Sequence, residues 1–294
     1  MTEGRATTEV RDDDPGLPPG LRLEGRGDRR PAGRAGVDRA LSGPGQLHVS
    51  APFLHWGTPI VEDRPRSSLA DGDPSGADQA RQVGQYPQGL HYFPIAPGLI
   101  GSRSGLLCVN HGELRQDLLH PSGPTCIDGR RSDAVEVATE IAALGVSIVQ
   151  IGRNGRSRDW DVVRSRYNRR ITGATPVELA GPARGSSWVR TRYSPDGTLV
   201  RGTLGAQAHG CTPWDSFLAC EETWASHFVC RIARPPLEMS RYGVSSSASR
   251  YRWEDLNDDE CRRFDATPVA GAVAGQDYRN EPNAFGWVVE IDPF

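Results

Sequence analysis

Two adjacent carboxylates, Glu221 and Glu222, close the run Phe217-Leu218-Ala219-Cys220. Successive side chains on a strand point to opposite faces, so one of the pair faces inward. An inward carboxylate can hold a hard cation such as calcium; the plain alternative is a solvated strand end. A second stretch, Asn168-Arg169-Arg170, carries guanidinium groups that can fork onto a phosphate or simply face water from a strand. Composition removes other chemistries. No lysine occurs among the 34 basic residues, so neither a Schiff base nor a P-loop is available. The six cysteines, at 108, 126, 211, 220, 230 and 261, contain no CxxC pair, which argues against a zinc ribbon or a thioredoxin-type motif. A net charge of −3 gives no basic field for nucleic acid or an anionic membrane. No apolar run approaches the ~20 residues of a membrane span.

The elements that must position these groups are short. Val137, Ile141 and Leu144 recur at helical spacing, and the pattern predicts a helix over 134–144. Asp133 is its expected cap, Glu136 its capping-box partner and Gly145 its stop. The run 146–151 reads as a strand, with a turn at Asn154-Gly155 and a hairpin partner at 160–163. Further strands are expected at 92–95, 105–110, 198–204 (after the turn Ser194-Pro195-Asp196-Gly197) and 286–292, with a short strand and turn at 51–57. Residues 1–46, dense in Arg, Asp, Gly and Pro, read as a disordered lead-in, and 62–76 as a second polar loop. Ordered sequence is expected over 47–294. Arg29-Arg30 is not followed by an apolar segment, so the chain as written carries no export signal and reads as cytoplasmic. The pattern is mostly β, and sandwich, barrel and propeller fit it equally.

Five stretches, in order, resemble the PhoX-type alkaline phosphatase family. Trp56-Gly57-Thr58-Pro59 looks like its RWGDP element, and Gly105-Leu106-Leu107-Cys108-Val109-Asn110-His111 like its GLLCVNHE strand. Residues 164–172 resemble DSxYNRRIT. The stretch Gly202-Thr203-Leu204 through Thr212-Pro213-Trp214 to Cys220-Glu221-Glu222 resembles a strand, TPWGT turn and Cys-Glu-Glu pair. Residues 280–294 resemble NEPNRFGWVVEIDPFDP almost letter for letter. The resemblance implies a six-bladed β-propeller whose channel holds an iron–calcium cofactor that clamps a small phosphomonoester. Clustered multivalent cations suit that chemistry because they neutralise charge on the transferring phosphoryl group. Asn110, Glu113, Glu221, Glu222, Asn283, Glu290 and Asp292 are the implied metal ligands. His111 is the implied catalytic histidine, and Arg169 and Arg170 are candidates for the phosphate. Family members are typically exported by the twin-arginine route.

Departures from the family pattern fall on the chemistry. Where the family has a bridging cysteine, this chain has Gln207, whose neutral amide cannot bridge ferric ions, so Fe³⁺ is in doubt while Ca²⁺ remains conceivable. Gly112 stands at a glutamate position, with Glu113 displaced by one residue, which on a strand reverses the side chain's face. The sequence ends before a downstream GRFxHE-type element. The expectation is an incomplete propeller with impaired or lost phosphatase activity. The alternatives are a non-catalytic fragment and a calcium-dependent lactonase-like propeller.

Overall fold

Short apolar runs bounded by glycine and proline form strands throughout the computed structural model, which describes residues 38–41, 47–50, 53–61 and 75–294. Two units are distinguished, Met1–Ala51 and Pro52–Phe294. In the first, β1 (Asp38–Leu41) and β2 (Leu47–Ser50) pair as an antiparallel hairpin. The remainder of the expected lead-in at 1–46 lies outside the described residues, as does the polar loop over 62–74.

The second unit opens with the short helix α1 (Gly76–Gln79) and then alternates strand and turn. Strands β3 (Pro87–Pro94) and β4 (Ser104–His111) flank the helical turn α2 (Gly98–Gly101). The turn α3 (Gln116–Leu119) and the hairpin β5 (Cys126–Ile127) and β6 (Arg130–Arg131) lead into helix α4 (Ala134–Ala143). Strands β7 (Gly145–Arg153), β8 (Trp160–Val162) and β9 (Arg169–Ile171) complete an antiparallel sheet of order β3-β4-β7-β8, with β9 also on β7. A separate pair, β10 (Pro176–Glu178) and β11 (Leu199–Arg201), follows. A second sheet has the order β12 (Ala206–Cys211), β13 (Phe217–Glu221), β14 (Val288–Ile291). Helices α5 (Leu237–Tyr242) and α6 (Asp259–Arg262) lie in the chain between β13 and β14. Among the described residues no helix is long and apolar enough to cross a membrane.

One core joins the two sheets. Phe93, Leu106, Cys108 and Ile148 of the first pack with Ala206, Phe217, Ala219 and Ile291 of the second. A larger core receives the apolar face of α4, where Val137, Ile141 and Leu144 meet Leu204, Trp253, Phe264 and Phe285. The α4 cap is as expected, with the Asp133 carboxylate accepting from Val135 N at 2.8 Å and Glu136 N at 3.2 Å. Glu136 does not close the box. Its carboxylate is drawn instead to Thr125 and Arg131. Residues 53–57 form a turn rather than a strand, pinned by Trp56 Nε1 donating to Gln79 Oε1 at 2.8 Å.

Gly145 sets the junction of α4 and β7. Its φ is +107°, and a Cβ there would lie 2.0 Å from the Ile171 carbonyl oxygen on β9. Gly145→Ala therefore combines a disfavoured backbone with a backbone overlap that no rotamer relieves. The expected loss is more than about 2 kcal/mol in a denaturant titration, and a change under about 0.5 kcal/mol would contradict the packing of β9 on β7.

Candidate functional site

Of the adjacent pair at the end of β13, Glu221 turns inward and Glu222 is exposed. Glu221 Oε1 accepts from Thr203 Oγ1 at 2.9 Å and Leu204 N at 3.1 Å. Its Oε2 accepts from Gly286 N at 2.9 Å and Trp287 N at 3.4 Å. These four donors fill the roughly four lone-pair positions of the carboxylate. Burial nonetheless outweighs them and pushes its pKa up to about 7. On the neighbouring strand, Glu290 takes hydrogen bonds from Ser216 Oγ and, at 2.7 Å, Trp214 Nε1, and these hold it below its usual range. Both acids border a mainly apolar cavity of about 520 Å³ whose wall includes Val177, Leu179, Val200 and Trp287. Asp292 is exposed, and its Oδ1 accepts from Phe294 N at 2.9 Å.

The other candidates serve the scaffold. His111 is fully buried at the end of β4, its Nδ1 2.9 Å from the Gln85 carbonyl and its Nε2 2.7 Å from Ser147 Oγ. Burial first, then the nearby Arg170, pushes its pKa well down. Both imidazole nitrogens are thus engaged by the scaffold, and the ring is closed off from solvent. Arg170 donates all five of its N–H groups to main-chain carbonyls: Nε to Val146, one terminal nitrogen to Gln79 and Gln82, the other to Ala142 and Leu144. Burial lowers its pKa to about 9. Arg169 holds the carbonyls of Tyr167, Asp292 and Pro293. In this packing both guanidinium groups are engaged by main-chain carbonyls.

Asn110 is buried and donates through Nδ2 to the carbonyls of Gln207 (3.3 Å) and Ala208 (2.9 Å), tying β4 to β12. Asn283 is buried and donates to the Trp188 carbonyl at 2.8 Å. In both, the amide oxygen has no partner. Strand β4 ends at His111, so Glu113 lies beyond it and faces Arg250 at 3.5 Å. A Cβ on Gly112 would meet the Ala206 carbonyl oxygen at 2.5 Å, so this packing has no room for a glutamate at that position.

An iron–calcium cofactor needs several hard anionic oxygens and a thiolate converging on one point. Here Gln207 stands where the bridging thiolate belongs, and its amide donates to Thr223 Oγ1 at 3.3 Å. Glu221 has its lone pairs filled by protein donors. Among the described residues, no group of three or more His, Cys, Asp or Glu side chains is placed to hold a metal ion. Among the sequence-picked ligands, the amide oxygens of Asn110 and Asn283 are buried without a partner. The residues present do not fit the cofactor that the resemblance implies.

Sequence reasoning missed a buried polar cluster beneath α4. Glu140, fully buried, accepts from His120 Nε2 at 2.9 Å, Arg131 at 2.7 Å, Trp253 Nε1 at 2.7 Å and Gln116 Nε2 at 2.9 Å. Its signal was available: an acid three residues after Val137 falls within the apolar face.

Two antiparallel sheets sharing one core, with acids at the strand ends of the second, define a mostly β scaffold with a strand-end site. Residues 46–294 match the family model for alkaline phosphatase PhoX, and the chain belongs to that family. Among solved structures it is similar to Pseudomonas fluorescens PhoX, a structure described as a complex with vanadate, a transition state analogue. The identity is 31%, the TM-score 0.69, and the match covers 82% of this chain. The chain spans 38% of the length of that protein. No curated protein matches it.

Proposed function

We propose that this chain is a PhoX-type phosphatase homologue that keeps the family scaffold but does not by itself hold the iron–calcium cluster, and so has lost phosphomonoesterase activity. Its two sheets are read as blades of a propeller. Membership of the family and 31% identity to a PhoX that was solved with vanadate support the phosphatase-type ancestry. The observation that carries the loss is at Glu221: four protein donors take the lone pairs a cation would need, while Gln207 supplies no thiolate. Residual calcium affinity, if any, falls to the oxygens of Asn110 and Asn283 and to exposed Glu222 and Asp292, which are poorly matched to a shared ion.

The test is hydrolysis of p-nitrophenyl phosphate at alkaline pH by purified chain supplied with Ca²⁺ and iron. The expected rate equals that of the protein-free blank. Turnover that disappears on chelation would overturn the reading and restore the family's full chemistry to this chain.

A further inference from the structure

We infer that His91 and His209 together form a site for one borderline divalent transition-metal ion, of the Zn²⁺ or Cu²⁺ class, separate from the acids discussed above. Strands β3 and β12 are the edge strands of their two sheets, and they approach each other closely. The approach requires Gly89: a Cβ there would lie 2.6 Å from the Gln207 carbonyl oxygen and 2.9 Å from His209 Nδ1. Asn110 clamps the same junction from β4. The two imidazoles face each other across it with ring centroids 6.0 Å apart and planes at 51°.

Each ring is braced from behind by an aromatic side chain of the shared core. His91 lies 4.6 Å from Phe93, and His209 stacks at 6.0 Å and 14° on Phe217. Among the described residues, neither imidazole takes part in a hydrogen bond; His209 Nδ1 packs against Gly89, which leaves its Nε2 and the nitrogens of His91 as the candidate donors to a metal. His209 is exposed and His91 half-buried, which leaves an entry path from solvent. Asp215 is near enough to act electrostatically on His91 in the favourable sense. Cys211, a free and exposed thiol, follows two residues after His209 and so shares its side of β12.

Imidazole nitrogen suits zinc, copper and nickel, whereas calcium prefers oxygen, so the site selects a different metal class from the acids. Metal–nitrogen bonds of about 2.0–2.1 Å place the centroids of two ligated imidazoles about 5 Å apart in a tetrahedral site. Metal binding therefore requires the His209 ring to turn toward His91 from its 6.0 Å separation. Water fills the remaining positions, consistent with a two-histidine site of modest affinity. Burial first, then the charge of His209, lowers the pKa of His91 and keeps that imidazole neutral and ligand-ready.

The experiment is calorimetric titration of the purified full chain with Zn²⁺, with histidine ring NMR to identify the ligands. A background in which Cys126, Cys211 and Cys220 are replaced by serine excludes thiol binding. One ion is expected to bind with shifts confined to the rings of His91 and His209. His91→Ala and His209→Gln should each weaken binding at least tenfold, and His55→Ala should leave it unchanged. Because His209 is exposed, its glutamine variant tests the site without disturbing the core. Unchanged affinity in both histidine variants, or loss of all binding in the serine background, would overturn the inference.

Discussion

Glu140→Ala is expected to lower stability by about 3–5 kcal/mol, the cost of leaving a buried charge without its partner. The group left behind is Arg131, itself buried, which donates to Glu140 at 2.7 Å and 3.2 Å and keeps only Glu136 as a carboxylate partner after the change. The indole N–H of Trp253, the imidazole of His120 and the amide of Gln116 lose their acceptor in the same stroke. Glu140→Gln keeps the shape and some acceptor capacity, so its loss should be smaller. The pH dependence gives an independent reading. Burial is the largest influence on Glu140 and would raise its pKa, but bonds from His120, Arg131 and Trp253 bring it below the ordinary value. A depressed carboxylate stabilises the fold above its unfolded pKa, and that contribution disappears as pH falls through the folded value. Urea unfolding at pH 7 and pH 4 should therefore show a larger acid-side loss in the wild type than in Glu140→Gln. A stability of the alanine variant within about 0.5 kcal/mol of wild type would remove the cluster's claimed role.

What was legible in the sequence followed from local periodicity. Helix α4 was readable because Asp133, Val137, Ile141 and Gly145 lie within a few turns of one another and their roles are set by spacing alone. The inward and outward facing of Glu221 and Glu222 was readable for the same reason. The partners of those side chains were not. Glu221 is met by Thr203 and Leu204, and by Gly286 and Trp287, residues 65 and 66 positions away that only tertiary packing brings near. The partners of Arg170 were hidden on similar grounds. The carbonyls it binds belong to the ends of α1 and α4 and to the start of β7, and no local pattern announces that three chain segments end at one guanidinium. His91 carries no motif, and its facing partner lies 118 positions further along the chain, so the pair emerges only from the meeting of β3 and β12. Periodicity of two likewise could not say whether strands belong to a sandwich, barrel or propeller, since all three bury alternate residues.

Glu221 should reverse the usual acid-side behaviour of carboxylates. Its pKa is raised to about 7, chiefly by burial, so its contribution to stability is fully present below the ordinary glutamate value of 4.5 and is lost as pH rises through about 7. At full effect the loss is about 3 kcal/mol, reduced by whatever solvent reaches the half-buried side chain. Glu221→Gln has no such titration, so the difference between wild type and variant should change steadily from pH 5 to pH 8 in the variant's favour. At pH 5 the protonated carboxyl of wild type and the amide of the variant each turn a donor toward the main-chain N–H groups, so the two proteins should lie within about 1 kcal/mol of each other. The same pair of proteins separates a structural clasp from a metal ligand. A clasp whose lone pairs are filled by Thr203, Leu204, Gly286 and Trp287 gains nothing from millimolar Ca²⁺. A cation ligand would show a calcium-dependent rise in the unfolding midpoint of wild type that the glutamine variant loses. That rise would return Glu221 to the family's metal site and require its four donors to give way to the ion, whereas a stability difference that stays flat across pH 5–8 would contradict its raised pKa.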